Sequence, residues 1–367
     1  MLNTRKQNLK ITFDGKPIFS SSPGISRVSI QLVNLLTELG HSILILLPNH
    51  EILVNDRNPL DVRALKANPF HNLNTLVWYK SELGKRIKQT DSDVFFATGH
   101  KVPQQIAQGV KVISFIHDVS WRKYPWAMPL KSLIGELISF KNTLAKSDII
   151  LTVSESTKND LVSYYPRHLG KVKVCYPYFN IGCNSELPSR SGLLFVGDLR
   201  KRKNVSRLIQ AYLRLPLDCR QKNNLIIAGN FSRQEIVKRF EYLLNNPSMG
   251  VVFCPKPNDA TLSRLMKSSC FLVVPSIHEG FGLPIIEAFS WGVPVILSNI
   301  SIFREIAGDL GSYFDPFDSE SIEITLLNAL ENYQNLKTDF AKLQLRAKYF
   351  SKSDCLSRLQ SIINELS

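Results

Sequence analysis

The chain has 367 residues, 44% of them hydrophobic and 21% charged, with a net charge of +14. That length exceeds one ordinary α/β domain and that balance excludes a disordered chain, so two domains with separate cores are expected. The basic excess is uneven: residues 1–180 carry 23 Lys and Arg against 13 Asp and Glu, while residues 181–367 carry 22 against 18. It suits nucleic acid, an anionic membrane surface or an anionic substrate without choosing among them. The opening MLNTRKQNLK has no apolar stretch, so no secretory leader is expected. Apolar runs such as Ile43–Leu47 fall far short of the ~20 residues of a membrane-spanning helix. Six scattered cysteines (Cys175, Cys183, Cys219, Cys254, Cys270, Cys355) with no C-x-x-C pair argue against a zinc site or a disulfide framework and fit a reducing cytosol.

In chain order, strands are predicted over Lys10–Phe13, Ser42–Leu47, Asp93–Thr98, Lys111–His117, Asp148–Val153 and Lys171–Cys175. Helical patterns fall over Ser26–Leu39, Leu130–Lys146 and Glu155–Tyr165. The turn-forming stretch PYFNIGCNSELPSRSG after Tyr176 reads as a linker. Strands then resume over Leu193–Val196, Asn224–Ala228, Gly250–Phe253, Cys270–Val274 and Val293–Leu297. Helices fill the gaps at Asn204–Leu213, Arg233–Leu244, Asp259–Lys267 and Leu283–Trp291, and two more close the chain from about Asn335. Such alternation implies parallel sheets covered on both faces, in two doubly wound domains facing across a cleft. The expected boundaries are 1–180 and 190–350, with a C-terminal helix over about 351–367 packing back on the first domain. Ligands of open parallel sheets sit beyond the carboxyl ends of the strands, so the loops that follow strands are where chemistry is sought.

The strand Cys270–Val274 runs into Pro275-Ser-Ile-His-Glu-Gly-Phe-Gly-Leu-Pro-Ile-Ile-Glu-Ala288, with a helix starting near Pro284. Amides of Phe281, Gly282 and Leu283 at that helix start would cradle an anion or a hydroxyl. Glu279 lies at the mouth, and Glu287, about one turn in, suits a ribose diol. A sharp strand–helix turn with Glu287 as an ordinary surface residue fits the same letters. A second strand end, Phe195-Val-Gly-Asp-Leu-Arg-Lys-Arg-Lys-Asn204, places Arg200, Lys201, Arg202 and Lys203 in one loop, which suits a diphosphate or a solvated turn. A third, Ser114-Phe-Ile-His-Asp-Val119, ends in His117 and Asp118, able to orient a hydroxyl or share its proton. In Asp91-Ser-Asp93 the apolar residues follow the pair instead of preceding it, so it reads as a turn and no metal is expected.

The spacing Glu279–Glu287, E-x7-E spelled EGFGLPIIE, resembles the retaining glycosyltransferases of family 4, which have the GT-B fold. The likeness extends over Asp259-Ala-Thr-Leu262, Trp291-Gly-Val-Pro-Val295, Phe303-Arg-Glu-Ile-Ala-Gly308 and Tyr313-Phe-Asp-Pro316. It implies that Glu279 and Phe281, Gly282 and Leu283 contact a donor sugar and that Glu287 binds the nucleotide ribose. The turn after Val196 is similar to that family's G-x-L-x-x-R-K-N signature, which makes Arg202 and Lys203 the phosphate contacts. Asp198 departs from members with arginine after the glycine. The resemblance also makes His117, then Asp118, the catalytic pair of the first domain, and Gly24 in Ser22-Pro-Gly-Ile-Ser-Arg27 part of a glycine loop near the donor phosphates; with Gly24 its only glycine, a plain loop-to-helix turn fits the same segment, and Arg27 there could reach an anionic acceptor.

The resulting expectation is a cytoplasmic, metal-independent hexosyltransferase without a cofactor. Its donor is a nucleotide sugar, GDP-mannose first and a UDP- or dTDP-sugar as the alternative. Its acceptor is a glycan or lipid-linked saccharide in surface-polysaccharide or lipopolysaccharide assembly, at an anionic inner-membrane surface. An NAD-dependent oxidoreductase would need G-x-G-x-x-G after its first strand, which Gly24-Ile-Ser-Arg27 does not supply. Two carboxylates on one side of a bond do not make a glycosidase pair. The loops also lack the interleaved aromatic and basic residues of a nucleic-acid binder.

Overall fold

The computed structural model describes residues 8–19, 23–48, 50–55, 77–127, 130–179, 190–336 and 340–366. Two compact units result, Met1–Tyr178 with Lys352–Ser367, and Phe179–Ser351. The first is built on a seven-stranded sheet of order β3-β2-β1-β4-β5-β6-β7. Its strands are β1 (Lys10–Asp14), β2 (Ser42–Leu47), β3 (His50–Val54), β4 (Val94–Ala97), β5 (Lys111–Ile116), β6 (Ile149–Thr152) and β7 (Val172–Val174). All pair in parallel except β3, which runs antiparallel to β2. Helices on both faces leave the central strands no solvent side, which is why β4 reads Val-Phe-Phe-Ala with every residue buried. Phe13 stacks on Phe96 with ring centroids 4.9 Å apart. The Lys352–Asn364 helix returns to this unit, burying Cys355, Leu359, Ile362 and Ile363. Lys352 pairs with Glu38, Lys173 with Glu365, and Arg358 lies over the Tyr176 ring.

The second unit holds six parallel strands in the order β10-β9-β8-β11-β12-β13. They are β8 (Leu193–Val196), β9 (Leu225–Gly229), β10 (Val251–Pro255), β11 (Phe271–Val274), β12 (Val295–Ser298) and β13 (Gly311–Phe314). This is the doubly wound order 3-2-1-4-5-6, in which the chain reverses direction between its first and fourth strands. Adjacent β8 and β11 therefore flank the switch point, and the segments after Val196 and after Val274 emerge side by side. Phe195, Phe231, Phe271 and Phe314 fill the core beneath them.

Two strands escape the sequence reading. The antiparallel edge strand β3 breaks the parallel alternation, and β13 opens on a glycine with only two apolar residues to follow. Helices over Ser301–Ala307 and Ser319–Glu331 are likewise additional. The linker expected after Tyr176 lies largely outside the described residues, as does Cys183; the other five cysteines form no disulfide among the described residues.

Beneath the turn that follows β8, the backbone of Gly229 passes so close that a Cβ there would sit 1.8 Å from the Gly197 carbonyl oxygen, at a φ of +154°. Gly229→Ala must therefore displace that turn, and urea unfolding is expected to show a loss of about 1–3 kcal/mol. A loss below ~0.5 kcal/mol would show that the two backbones are not held together.

Candidate active site

The second unit brings its two sequence-flagged loops into contact at the switch point. After Val196, Gly197 turns the chain, and Lys201–Lys203 form one turn of 3-10 helix. Asn204 follows in the left-handed region at φ 57°, and the Val205–Arg214 helix begins. Asparagine tolerates that conformation, and here its Nδ2 donates to the Pro316 carbonyl over 2.7 Å. The second loop is tied to this turn through the main chain, the Ile277 amide donating to the Arg202 carbonyl over 2.9 Å.

Side chains complete the junction around one carboxylate. Glu279 Oε2 accepts from an Arg202 guanidinium nitrogen at 2.7 Å, and its Oε1 accepts from Lys203 Nζ at 2.5 Å and Ser276 Oγ at 2.8 Å. The same Arg202 nitrogen reaches the His278 carbonyl at 3.3 Å. The side chains of Arg202, Lys203 and Glu279 are only 20%, 16% and 12% exposed, so water screens them weakly. Burial pushes the Glu279 carboxyl upward, but the charges and hydrogen bonds of Arg202 and Lys203 outweigh it and hold it well below the usual carboxylate range. A second carboxylate, Asp198, turns back on the same loop, where Arg200 donates to it from its amide at 3.0 Å and from Nε at 2.8 Å. Of the four cations expected to face a diphosphate, Arg200 is thus drawn to Asp198, Lys201 is exposed, and Arg202 and Lys203 meet Glu279. The sequence reading placed the cations on phosphate and Glu279 on sugar; it did not anticipate that they bind each other, nor that Ser276 joins them.

Beyond Glu279 the loop enters the helix Leu283–Ser290, with Pro284 as its second residue and Gly282 preceding it at φ 140°. Gly282 and Leu283 are half-buried. Phe281 is buried with its ring edge-on to Phe350, centroids 5.6 Å apart. Glu287 sits one turn into the helix and is half-buried, while Ile285, Ile286, Ala288 and Phe289 are buried.

In the first unit His117 closes β5. Its Nε2 donates to the Thr98 carbonyl over 2.8 Å, which makes Nδ1 the acceptor nitrogen. Burial, only partly offset by that bond, depresses its pKa to about 4, so the ring is neutral near pH 7. Asp118 Oδ1 accepts from the amide (2.9 Å) and hydroxyl (2.5 Å) of Ser120, the first residue of the short Ser120–Lys123 helix. Gly24 is the second residue of the Pro23–Glu38 helix, three residues earlier than the predicted start, so it belongs to a helical turn and not to a loop before one. Gly24 and Arg27 are both exposed there, and Ser22 lies outside the described residues. Asp93 accepts from the Lys10 amide at 2.8 Å and Asp91 pairs with the Lys10 ammonium. Among the described residues no group of three His, Cys, Asp or Glu side chains could hold a metal ion.

Two further carboxylate clusters occupy the same strand ends and carried no sequence signal. Glu136 binds His100 Nε2 and Lys101 Nζ, each at 2.9 Å, with a pKa lowered to about 2 as these partners overcome its burial. Asp14, at the end of β1, is buried and accepts from Trp78 Nε1 at 3.1 Å and from the Tyr79 hydroxyl. Trp78 and Tyr79 stand in a π-helical turn, Trp78–Glu82, that lets consecutive side chains meet one carboxylate.

The Glu279 cluster makes stability depend on pH with a definite sign. Its folded pKa lies below the ordinary 4.5, so its contribution is whole above 4.5 and is lost as pH falls beneath that value. Glu279→Gln should cost about 2–3 kcal/mol in urea unfolding at neutral pH, because Arg202 and Lys203 are left unmatched. That difference should narrow as pH falls below the unfolded carboxylate pKa, and a difference independent of pH would contradict the assignment.

Residues 188–344 match the family described as Glycosyl transferases group 1, and residues 23–181 match Glycosyltransferase Family 4. The chain is 27% identical over 266 residues to O-antigen chain mannosyltransferase B of Escherichia coli, covering 68% of each protein. It is 26% identical over 269 residues to O-antigen chain mannosyltransferase RfbU of Salmonella typhimurium, covering 70% of this chain and 71% of that one. Among solved structures, sucrose-phosphate synthase from Thermosynechococcus elongatus superposes with a TM-score of 0.75 at 17% identity, over 98% of this chain and 99% of its own. With glycosyltransferase families matching both halves and that shared fold spanning the chain, the protein belongs to the family 4 glycosyltransferases of GT-B fold.

Proposed function

We propose that the second unit binds the diphosphate of a nucleotide hexose between the turn after β8 and the loop after β11, and that the chain transfers the hexose with retention. The observation that carries this reading is the convergence of Arg202 and Lys203 on Glu279 at the switch point. An incoming diphosphate exchanges with the Glu279 carboxylate for the two cations, which then meet the charge that grows on the departing nucleotide. Glu279, released toward the sugar, accepts from its hydroxyls beside Phe281, Gly282 and Leu283, while Glu287 accepts from the ribose diol. Ser276 limits how far Glu279 swings. In the first unit the neutral His117 offers Nδ1 to a hydroxyl of the acceptor, Asp118 fixes the turn that follows it, and Gly24 leaves the start of its helix open. No metal takes part.

The donor is GDP-mannose, and the acceptor is a glycan or lipid-linked saccharide of O-antigen or other surface-polysaccharide assembly, at the cytoplasmic face of an anionic membrane. The two mannosyltransferases above support this choice by their similarity over both units.

Lys203→Ala should lower turnover on the order of 100-fold or more, as removal of one transition-state stabiliser does; turnover within about twofold of the parent would refute the phosphate role. A thermal-shift series with GDP, UDP, dTDP and NAD names the donor class, because a ligand that binds only the folded chain stabilises it by RT ln(1 + L/Kd) at free ligand concentration L and so raises the melting temperature. A rise with GDP alone is expected, a rise with UDP or dTDP replaces the base, and a rise with NAD alone overturns the transferase reading.

A further inference from the structure

The Leu130–Lys146 helix is apolar on two sides where one would suffice. Its inner side places Phe140 and Leu144 in the core of the first unit with Ile116, Trp121 and Leu161, and Leu133 and Leu137 pack against that core. At a spacing of four residues along the opposite side stand Leu130, Ile134 and Ile138, which are 71%, 49% and 70% exposed. Trp126, 58% exposed, precedes them. A solvent-facing helix side is ordinarily polar, so three large aliphatic residues in register with a tryptophan before them mark a contact surface.

The charge around this stripe identifies the partner. Lys123 is paired with Asp160 of the following helix at 3.0 Å, and residues 120–146 otherwise carry the bases Arg122, Lys131, Lys141 and Lys146 and one acid, Glu136. That acid is turned in against His100 and Lys101, with its side chain 15% exposed. Lys141 and Lys146 continue the helix where the apolar stripe ends, and both are exposed. An exposed apolar stripe with a tryptophan and flanking lysines, and no acid facing out, fits the boundary between anionic headgroups and acyl chains. A second copy of the chain meeting this face across a two-fold axis would set the same bases against each other. No helix among the described residues is long and apolar enough to cross a membrane, so the contact is with one surface of the bilayer.

We propose that the outward side of the Leu130–Lys146 helix, with Trp126, docks the chain on an anionic lipid bilayer. This deepens the membrane placement given above but rests on the first unit's surface alone, independent of the donor reading. Flotation of the full chain is measured with phosphatidylcholine vesicles, with and without phosphatidylglycerol, at low and high salt. The parent should float with the anionic vesicles and be released by salt. Ile134→Ser combined with Ile138→Ser should lower partitioning at least ~10-fold while circular dichroism stays unchanged. Both positions are exposed, so the fold does not depend on them, and GDP binding measured on the same variant reports the donor reading separately. Failure of the parent to bind anionic vesicles, or equal binding by the variant, overturns the proposal. So does light scattering that shows a parental dimer converted to a monomer by the two substitutions, which would assign the stripe to a second copy.

Discussion

Two half-buried cations, Arg202 and Lys203, held against one carboxylate, Glu279, form the constraint around which the second unit's functional end is arranged. Side by side and poorly hydrated, the cations would repel each other and the loops that carry them. Glu279 removes that repulsion, Ser276 fixes the carboxylate, and the Ile277–Arg202 main-chain bond keeps both loops in register. The strand order makes this possible, since β8 and β11 are neighbours at the switch point and the loops that follow them leave the same edge of the sheet side by side. In the proposed donor site, a ligand with two or more negative charges would meet cations that are already in position and partly desolvated.

Much of this architecture was legible in the letters. Strands buried on both faces are nearly continuous apolar runs, so β2 and β8 are found at their true limits, and the Leu130–Lys146 and Arg233–Leu244 helices likewise. The glutamate spacing and the basic turn singled out the two loops that meet. What remained hidden depends on where side chains turn. Arg200 and Arg202 are two residues apart in one charge run, yet one folds onto Asp198 and the other onto Glu279, a choice set by a single turn of 3-10 helix. The Asp14 cluster joins residues more than sixty apart through one π-helical turn, and no local pattern announces it. The resemblance puts Gly24 in a glycine loop before the helix, but proline favours the first position of a helix, and the helix here opens at Pro23.

The first unit shows the same economy with different chemistry. The ends of its central strands carry Asp14, Thr98 and His117, with the pair His100 and Lys101 close behind, and each ionisable group has a defined partner. His100 takes φ 51°, uncommon for a residue with a side chain, in a loop that brings it to Glu136. His117 is kept neutral by burial, which suits a group that hydrogen-bonds a hydroxyl without drawing charge toward itself. His117 is held by the Thr98 carbonyl and Asp118 by the amide and hydroxyl of Ser120, partners that the sequence did not name.

The central claim is that the cations on Glu279 exist to receive a diphosphate. Calorimetric titration of the parent and of an Arg202→Ala, Lys203→Ala double variant with GDP and with guanosine isolates that contribution, because the two ligands differ only in the phosphates. The account requires the parent to bind GDP far more tightly than guanosine and the double variant to bind the two nearly alike. An undiminished preference for GDP in the double variant would place the phosphates elsewhere and contradict it.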